Sequence, residues 1–283
     1  MVAMPVNQRR EASPQRAGVG DGRALIGSHV GNEDPIAEAA ARGADAVQIF
    51  LGDPQSWKAP TVAYPGGAVA LRTAAEEAGL AVYVHAAYII NVAATNNRIR
   101  IPSRKLLQQT VALAAEAGAR GVVVHGGHTT TADAPDAGFD NWRKAVDQLE
   151  QHCPVFIENT AGGEHAMARR LEAIAKLWDA VGHSGVGLCL DTCHAFAGGI
   201  PLESAVADIK AVTGRVDLVH ANDSQGGFDS GIDRHANFGT GEIAPPDLIA
   251  QVIADAGCPA ICETPGGPEA QAADIKWLRE RVA

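Results

Sequence analysis

Eight times between residues 24 and 264, a short apolar or β-branched run is followed by an Ala-rich stretch of helical period. The runs are 24–29, 46–51, 81–85, 121–125, 154–158, 186–191, 216–220 and 259–264. The helical stretches are 34–43, 67–79, 103–118, 140–151, 167–181, 202–213, 245–256 and 268–282. Strands that are apolar throughout are covered on both faces, as in a parallel sheet. Gly79, Gly118 and Gly257 supply helix stop signals. Eight such units in about 260 residues predict an α/β chain folded as a (β/α)8 TIM barrel, a single domain over 24–283. An open doubly wound sheet also alternates, but it rarely reaches eight regular units. Residues 1–23 mix Pro, Gly, Gln and Arg without apolar period and are expected to form a flexible tail.

No apolar run approaches the ~18 residues of a membrane span. No apolar stretch follows the N-terminal charges, so no secretory signal is read and the expected location is cytoplasmic. The five Cys form no CxxC pair and read as buried free thiols of a reducing compartment. The net charge of −10 disfavours a nonspecific nucleic-acid coat protein, which is usually basic.

The strand ends carry the chemistry. The third strand ends at His85, the fourth at His125, the fifth at Glu158, the sixth at Asp191 and the seventh at His220. The eighth carries Glu263 near its end, His194 follows Asp191 by three residues, and Asp233 and His235 lie in the loop after the seventh strand. In a barrel these ends converge on one mouth, where active sites are built. A lone His at a strand end is more often a hydrogen-bonded structural residue, but nine such side chains on one rim read as a metal centre. Imidazole and carboxylate without thiolate suit Zn, Mn, Fe or Co, and nine donors exceed the four to six positions of one ion, so two or three ions are implied. Three divalent ions would bring the net charge to about −4 and place positive charge in the cleft, where an anion would sit.

His29 and His128 read as residues that hold ligands rather than ligate. His152, His165 and His183 fall on helices or helix ends and read as solvated. Cys189, two residues before Asp191 in an apolar run, reads as core packing, and Cys193 is left open. Tyr88, Gln55, Trp57 and Arg234 are candidates to contact substrate. An aromatic beside a charged cleft can stack on a base or wedge a duplex; Trp57 can equally pack on the rim.

Residues 85–91 (His-Ala-Ala-Tyr-Ile-Ile-Asn), 157–162 (Ile-Glu-Asn-Thr-Ala-Gly), 190–196 (Leu-Asp-Thr-Cys-His-Ala-Phe), 220–223 (His-Ala-Asn-Asp) and 233–235 (Asp-Arg-His) resemble the endonuclease IV family of zinc-dependent apurinic/apyrimidinic endonucleases. The resemblance runs from about Ile26 to Glu263. It implies a (β/α)8 barrel with three zinc ions, with Mn2+ possible at one site. His85 and His125 would hold one ion, and Glu158 would bridge it to a second that Asp191, His220 and Glu263 complete. His194, Asp233 and His235 would hold the third. The implied activity is hydrolysis of the phosphodiester 5′ to an abasic site in double-stranded DNA, leaving a 3′-hydroxyl and a 5′-deoxyribose phosphate, with trimming of blocked 3′ ends, in base excision repair. Glu158 is the implied catalytic residue, Tyr88 matches the aromatic that enters the lesion, and nothing requires more than a monomer. The family's better-known members carry an Arg-Gln pair before the Trp of the loop after the second strand. Here that loop reads Gln55-Ser56-Trp57, and the missing Arg is expected to weaken a phosphate or groove contact of the loop with DNA.

Two other classes fit parts of the pattern. Metal-dependent sugar isomerases and epimerases share the barrel but need only about four ligands; the added His194, Asp233 and His235 argue against them. A noncatalytic lesion binder would keep the aromatic and lose a ligand, and no ligand is missing.

Overall fold

The structure is a computed structural model in which residues 24–282 are described; the tail expected at 1–23 lies outside the described residues. Among the described residues ten strands occur: β1 (Ile26–His29), β2 (Ala46–Phe50), β3 (Ala81–His85), β4 (Val122–His125), β5 (Val155–Glu158), β6 (Gly187–Asp191), β7 (Leu218–Ala221), β8 (Asp223–Ser224), β9 (His235–Ala236) and β10 (Ala260–Cys262). Eight close into a parallel barrel in the order β1-β10-β7-β6-β5-β4-β3-β2, while β8 and β9 form a small antiparallel hairpin. The helices are α1 (Pro35–Arg42), α2 (Gly67–Glu77), α3 (Asn97–Glu116), α4 (Asp136–Val146), α5 (Leu171–Val181), α6 (Thr192–Gly198), α7 (Leu202–Thr213), α8 (Asp247–Ala256) and α9 (Gly267–Arg279). The expected (β/α)8 barrel is therefore the observed fold. Among the described residues no helix is long and apolar enough to cross a membrane.

The alternation of strand side chains builds two layers from one sequence pattern. Val47, Ile49, Val82, Val84, Val122, Val124, Val155, Ile157, Leu188 and Leu190 belong to the core shared with the helices. The intervening Ala46, Ala81, Tyr83, Val123, Phe156, Cys189, Leu218 and Ile261 form a separate cluster inside the barrel. Two residues further along those inward rows stand Gln48, His85, His125, Glu158, Asp191, His220 and Glu263. The apolar cluster is thus the floor of the barrel, and the polar set rests on it.

Gly27 lies where β1 and β2 approach closely: a Cβ there would stand 1.9 Å from the Ala46 carbonyl oxygen. Backbone on both sides leaves nothing to yield. Gly27→Ala is expected to destabilise the protein by about 3 kcal/mol, read as a lowered urea midpoint.

Three helix starts differ from expectation. α3 begins at Asn97 rather than 103, because the Asn96 side chain caps it by accepting from the Arg98 amide and Pro102 is tolerated in its early turns. α4 occupies 136–146 instead of 140–151; its place beyond the C-terminus is taken by a turn in which the Gln108 side chain bonds Glu150. α5 begins at Leu171, not 167, because Met167 and Ala168 lie in a turn whose backbone bonds to Gly127 and Thr160.

Candidate metal centre

Glu158 ends β5 fully buried, and its two oxygens face different neighbours. Oε2 lies 3.2 Å from His85 Nε2 and 3.2 Å from His125 Nε2. Oε1 lies 2.8 Å from His220 Nδ1 and 3.4 Å from His194 Nδ1. Among the described residues, three overlapping groups of imidazole and carboxylate atoms, apart from one that includes the Cys189 sulfur, fit a cation: His85, His125 and Glu158; Glu158, Asp191, His220 and Glu263; and Asp191, His194 and His235. Asp233 adjoins the last, its Oδ1 lying 3.0 Å from His194 Nε2 and 3.7 Å from His235 Nε2. The nine strand-end and loop residues therefore converge on one mouth. Asp191 stands between the second and third groups.

Backbone contacts orient the imidazoles. A carbonyl oxygen can only accept, so the His85 Nδ1–H donates to Ala86 O at 2.7 Å and the His194 Nδ1–H to Asn159 O at 3.0 Å. Each ring then turns Nε2 into the cluster. Asp191 is the N-cap of α6: its Oδ1 accepts from the His194 amide, which fixes the three-residue spacing between the two side chains. Its Oδ2 accepts from Asn222 Nδ2 at 2.7 Å, and Asn159 bonds its backbone at both ends. The β8–β9 hairpin carries His235 back over the mouth.

Electrostatics follow the packing. Burial would raise the Glu158 pKa, but His220 and His125 outweigh it and hold the carboxyl well below its usual range. Burial also opposes the shift at Glu263, where His220 and His29 keep the carboxylate ionised. Burial would lower His194 and His220, yet their neighbours, chiefly Asp191 for His194 and Cys189, Glu263 and Glu158 for His220, raise both well above the usual imidazole value. His85 is lowered by burial despite Glu158 and stays neutral. Buried Cys189 and Cys193 are pushed up to about 12 and remain thiols. Cys189 belongs to the floor, though its sulfur also lies within reach of Glu158 and His220.

The donor set suits divalent cations on an observation independent of residue type. The Nε2 atoms of His194 and His235 are buried without a hydrogen-bond partner. Buried polar atoms left so are costly unless an ion takes their lone pairs.

Tyr88 lines the mouth with His85, His125, His194, Asp233, His235 and Glu263 around a cavity of about 320 Å3. It is 50% exposed, and its ring stacks on His125 with centroids 5.7 Å apart. Gln55 and Trp57 stand outside that cavity lining on an exposed loop, where Trp57 is 47% exposed. Arg234 is exposed between two cluster residues. His29 is 3.4 Å from Glu263 Oε1. His128 is exposed, and its backbone rather than its imidazole is engaged, with Asn91; it does not hold a ligand, because the turn after β4 points that residue outward. His152 and His183 are exposed and pair with Glu150 and Asp147. Gln48, Asn159 and Asn222 were not singled out in the sequence, since neutral amides are not expected metal ligands. Their shared signal is position, at or next to an inward strand end.

A closed parallel barrel whose mouth collects imidazoles and carboxylates from six strands defines a TIM barrel with groups of side chains that can bind metal. Residues 36–281 match the AP endonuclease 2 family, described as a xylose isomerase-like TIM barrel. The chain is 56% identical to the probable endonuclease 4 of Mycobacterium tuberculosis over 258 residues, 91% of this chain and 99% of that protein. It is 55% identical to that of Mycobacterium leprae over 259 residues, 92% of this chain and 99% of that one. The crystal structure of endonuclease IV from Thermus thermophilus superposes with a TM-score of 0.79 at 31% identity, covering 91% of this chain and 98% of that one. A D-tagatose 3-epimerase-like protein at 19% identity shares the fold, with a TM-score of 0.75. The chain belongs to the endonuclease IV family.

Proposed function

We propose that the protein is a DNA repair endonuclease that hydrolyses the phosphodiester 5′ to an abasic site, leaving a 3′-hydroxyl and a 5′-deoxyribose phosphate, and that trims blocked 3′ ends. The observation that carries the reading is Glu158, whose two oxygens serve different donor groups from one buried carboxylate. Three divalent ions, zinc by the family's chemistry, would sit in the three groups, with His194, Asp233 and His235 closing the third. Ions so held supply an acidified water and neutralise phosphate charge.

The chain's own residues do the rest. Glu158, held ionised, orients its neighbours and an attacking water better than it stores a proton. The floor of Tyr83, Val123, Phe156 and Leu218 keeps bulk water from beneath the cluster. An abasic nucleotide has no base to unstack and so leaves the duplex at least cost. Tyr88, at the rim of the cavity, would meet such a sugar, and Arg234 and the Gln55–Trp57 loop would contact the DNA beyond it. The enzyme acts as a monomer on DNA in the cytoplasm.

The test pairs metal quantitation with nicking of a duplex carrying one abasic site. About three ions per chain with scission 5′ to the lesion is the expected result. One ion per chain with ketose–aldose conversion and no nicking would replace this reading with a sugar isomerase; a band shift without scission would leave a lesion binder.

Tyr88→Ala is expected to weaken binding to the abasic duplex about tenfold while changing the single-turnover rate little, since loss of an aromatic contact costs about 1–3 kcal/mol. Equal affinity of the variant and the parent for abasic and intact duplexes would remove Tyr88 from lesion recognition.

A further inference from the structure

We propose that Gln48 is a positioning residue that selects which atoms of His220 and Glu263 face the cluster; the proposal rests on the metal-centre reading above. Gln48 lies on β2, is fully buried, and occupies the same inward layer as the donor residues. A buried carboxamide is costly unless its donors and acceptor are used. Here they are used on three other strands or strand ends. Nε2 donates to Glu263 Oε1 at 2.6 Å and lies 3.0 Å from His29 Nδ1, and Oε1 lies 2.9 Å from His220 Nε2.

These three contacts admit one orientation of the amide. The 2.6 Å contact with a carboxylate oxygen of Glu263 pairs a donor with an acceptor only when the NH2 group is on that side. The amide oxygen then faces His220, which must carry its proton on Nε2. With an ion bound, the lone pair of His220 is thereby placed on Nδ1, the atom 2.8 Å from Glu158 Oε1 and 3.5 Å from Glu263 Oε2. The same NH2 group anchors Glu263 by Oε1 and leaves Oε2 for the cluster. One side chain thus sorts the two ends of two donor residues.

His220 needs this help because its geometry is reversed. His85 and His194 are fixed through Nδ1–H by backbone carbonyls, which no substitution removes, and both present Nε2. His220 presents Nδ1, and the acceptor for its Nε2–H is a side chain reaching across the barrel from β2. Such partners of a metal-bound imidazole fix its tautomer and raise its basicity.

Two measurements test the proposal on the zinc-loaded full chain. In the unmutated protein, histidine 15N shifts are expected to show His220 bound through Nδ1 with a proton on Nε2; binding through Nε2 overturns the proposal whatever any variant does. Gln48→Met keeps the length and apolar bulk but none of the hydrogen bonds. Against a competing chelator, it is expected to hold one zinc equivalent about ten- to hundredfold more weakly, with the remaining equivalents as in the parent. A residue that only packs would lower the melting temperature and leave zinc affinity alone, and that result also overturns the proposal. A parent protein that binds no zinc would instead defeat the metal-centre reading itself.

Discussion

Glu158→Gln is expected to lower the single-turnover rate of nicking at an abasic site by at least about a thousandfold, or ~4 kcal/mol of transition-state stabilisation, while the protein stays folded. Gln matches Glu in size, so the floor beneath it and the backbone ladder of β5 with its neighbours are undisturbed. What changes is charge and the number of acceptor oxygens. The carboxylate faces His85 and His125 with one oxygen and His220 and His194 with the other. An amide must turn its NH2 group toward one of those pairs, and an NH2 group has no lone pair to offer a cation. One donor group therefore loses its shared member, and the anionic field that keeps His220 and His194 above their usual pKa weakens with it. Nicking within tenfold of the parent, with unchanged melting, would falsify the central role given to this residue.

Much of this was legible because strand period and residue type agree. A barrel strand that buries both faces still alternates between its helix side and its interior. Val124-His125, Ile157-Glu158 and Leu190-Asp191 each close such a strand, the last residue pointing inward. The endpoint of each apolar run therefore marked both the mouth and the donor. Gln48 occupies the equivalent place on β2 but escapes that reading, because the run continues through Ile49 and Phe50 and a neutral amide signals no metal. Local geometry was harder to read than the barrel. α6 begins at the very residue that follows the end of β6, because the Asp191 side chain caps it while also facing the cluster. The β8–β9 hairpin, two residues a side, is too short to leave a period, yet it sets where His235 arrives. The relation of Asp191 to the third group depends on both. The loop at 53–58 held polar and aromatic residues that suggested contact with substrate; their place outside the cavity lining reflects an Asx turn, in which Asp53 accepts from Gln55.

The same unequal burial predicts how the protein responds to a strong chelator. Metal is expected to leave slowly and in stages, and nicking to be lost with the first stage and to return when zinc is restored. In the second donor group Glu158, Asp191 and His220 are fully buried, and Glu263 is 12% exposed in its side chain. The third group opens outward, with His235 at 18% and its neighbour Asp233 at 55%. The cation beside Asp233 can shed its most exposed partner to water and meet the chelator first; the innermost must wait for the barrel mouth to loosen. Metal content followed over time should therefore fall in at least two phases, with nicking falling in the first. Stability should fall as well, since an ion held by the folded chain alone stabilises by about 4 kcal/mol when present at a thousand times its dissociation constant. Without it, the negative charges of Glu158, Asp191 and Glu263 are offset only by neighbouring imidazoles and by neutral donors such as Asn222 and Gln48. A drop in melting temperature that tracks metal loss is the accompanying sign. Full nicking by a sample from which all metal has been removed would end the hydrolytic account of the cluster.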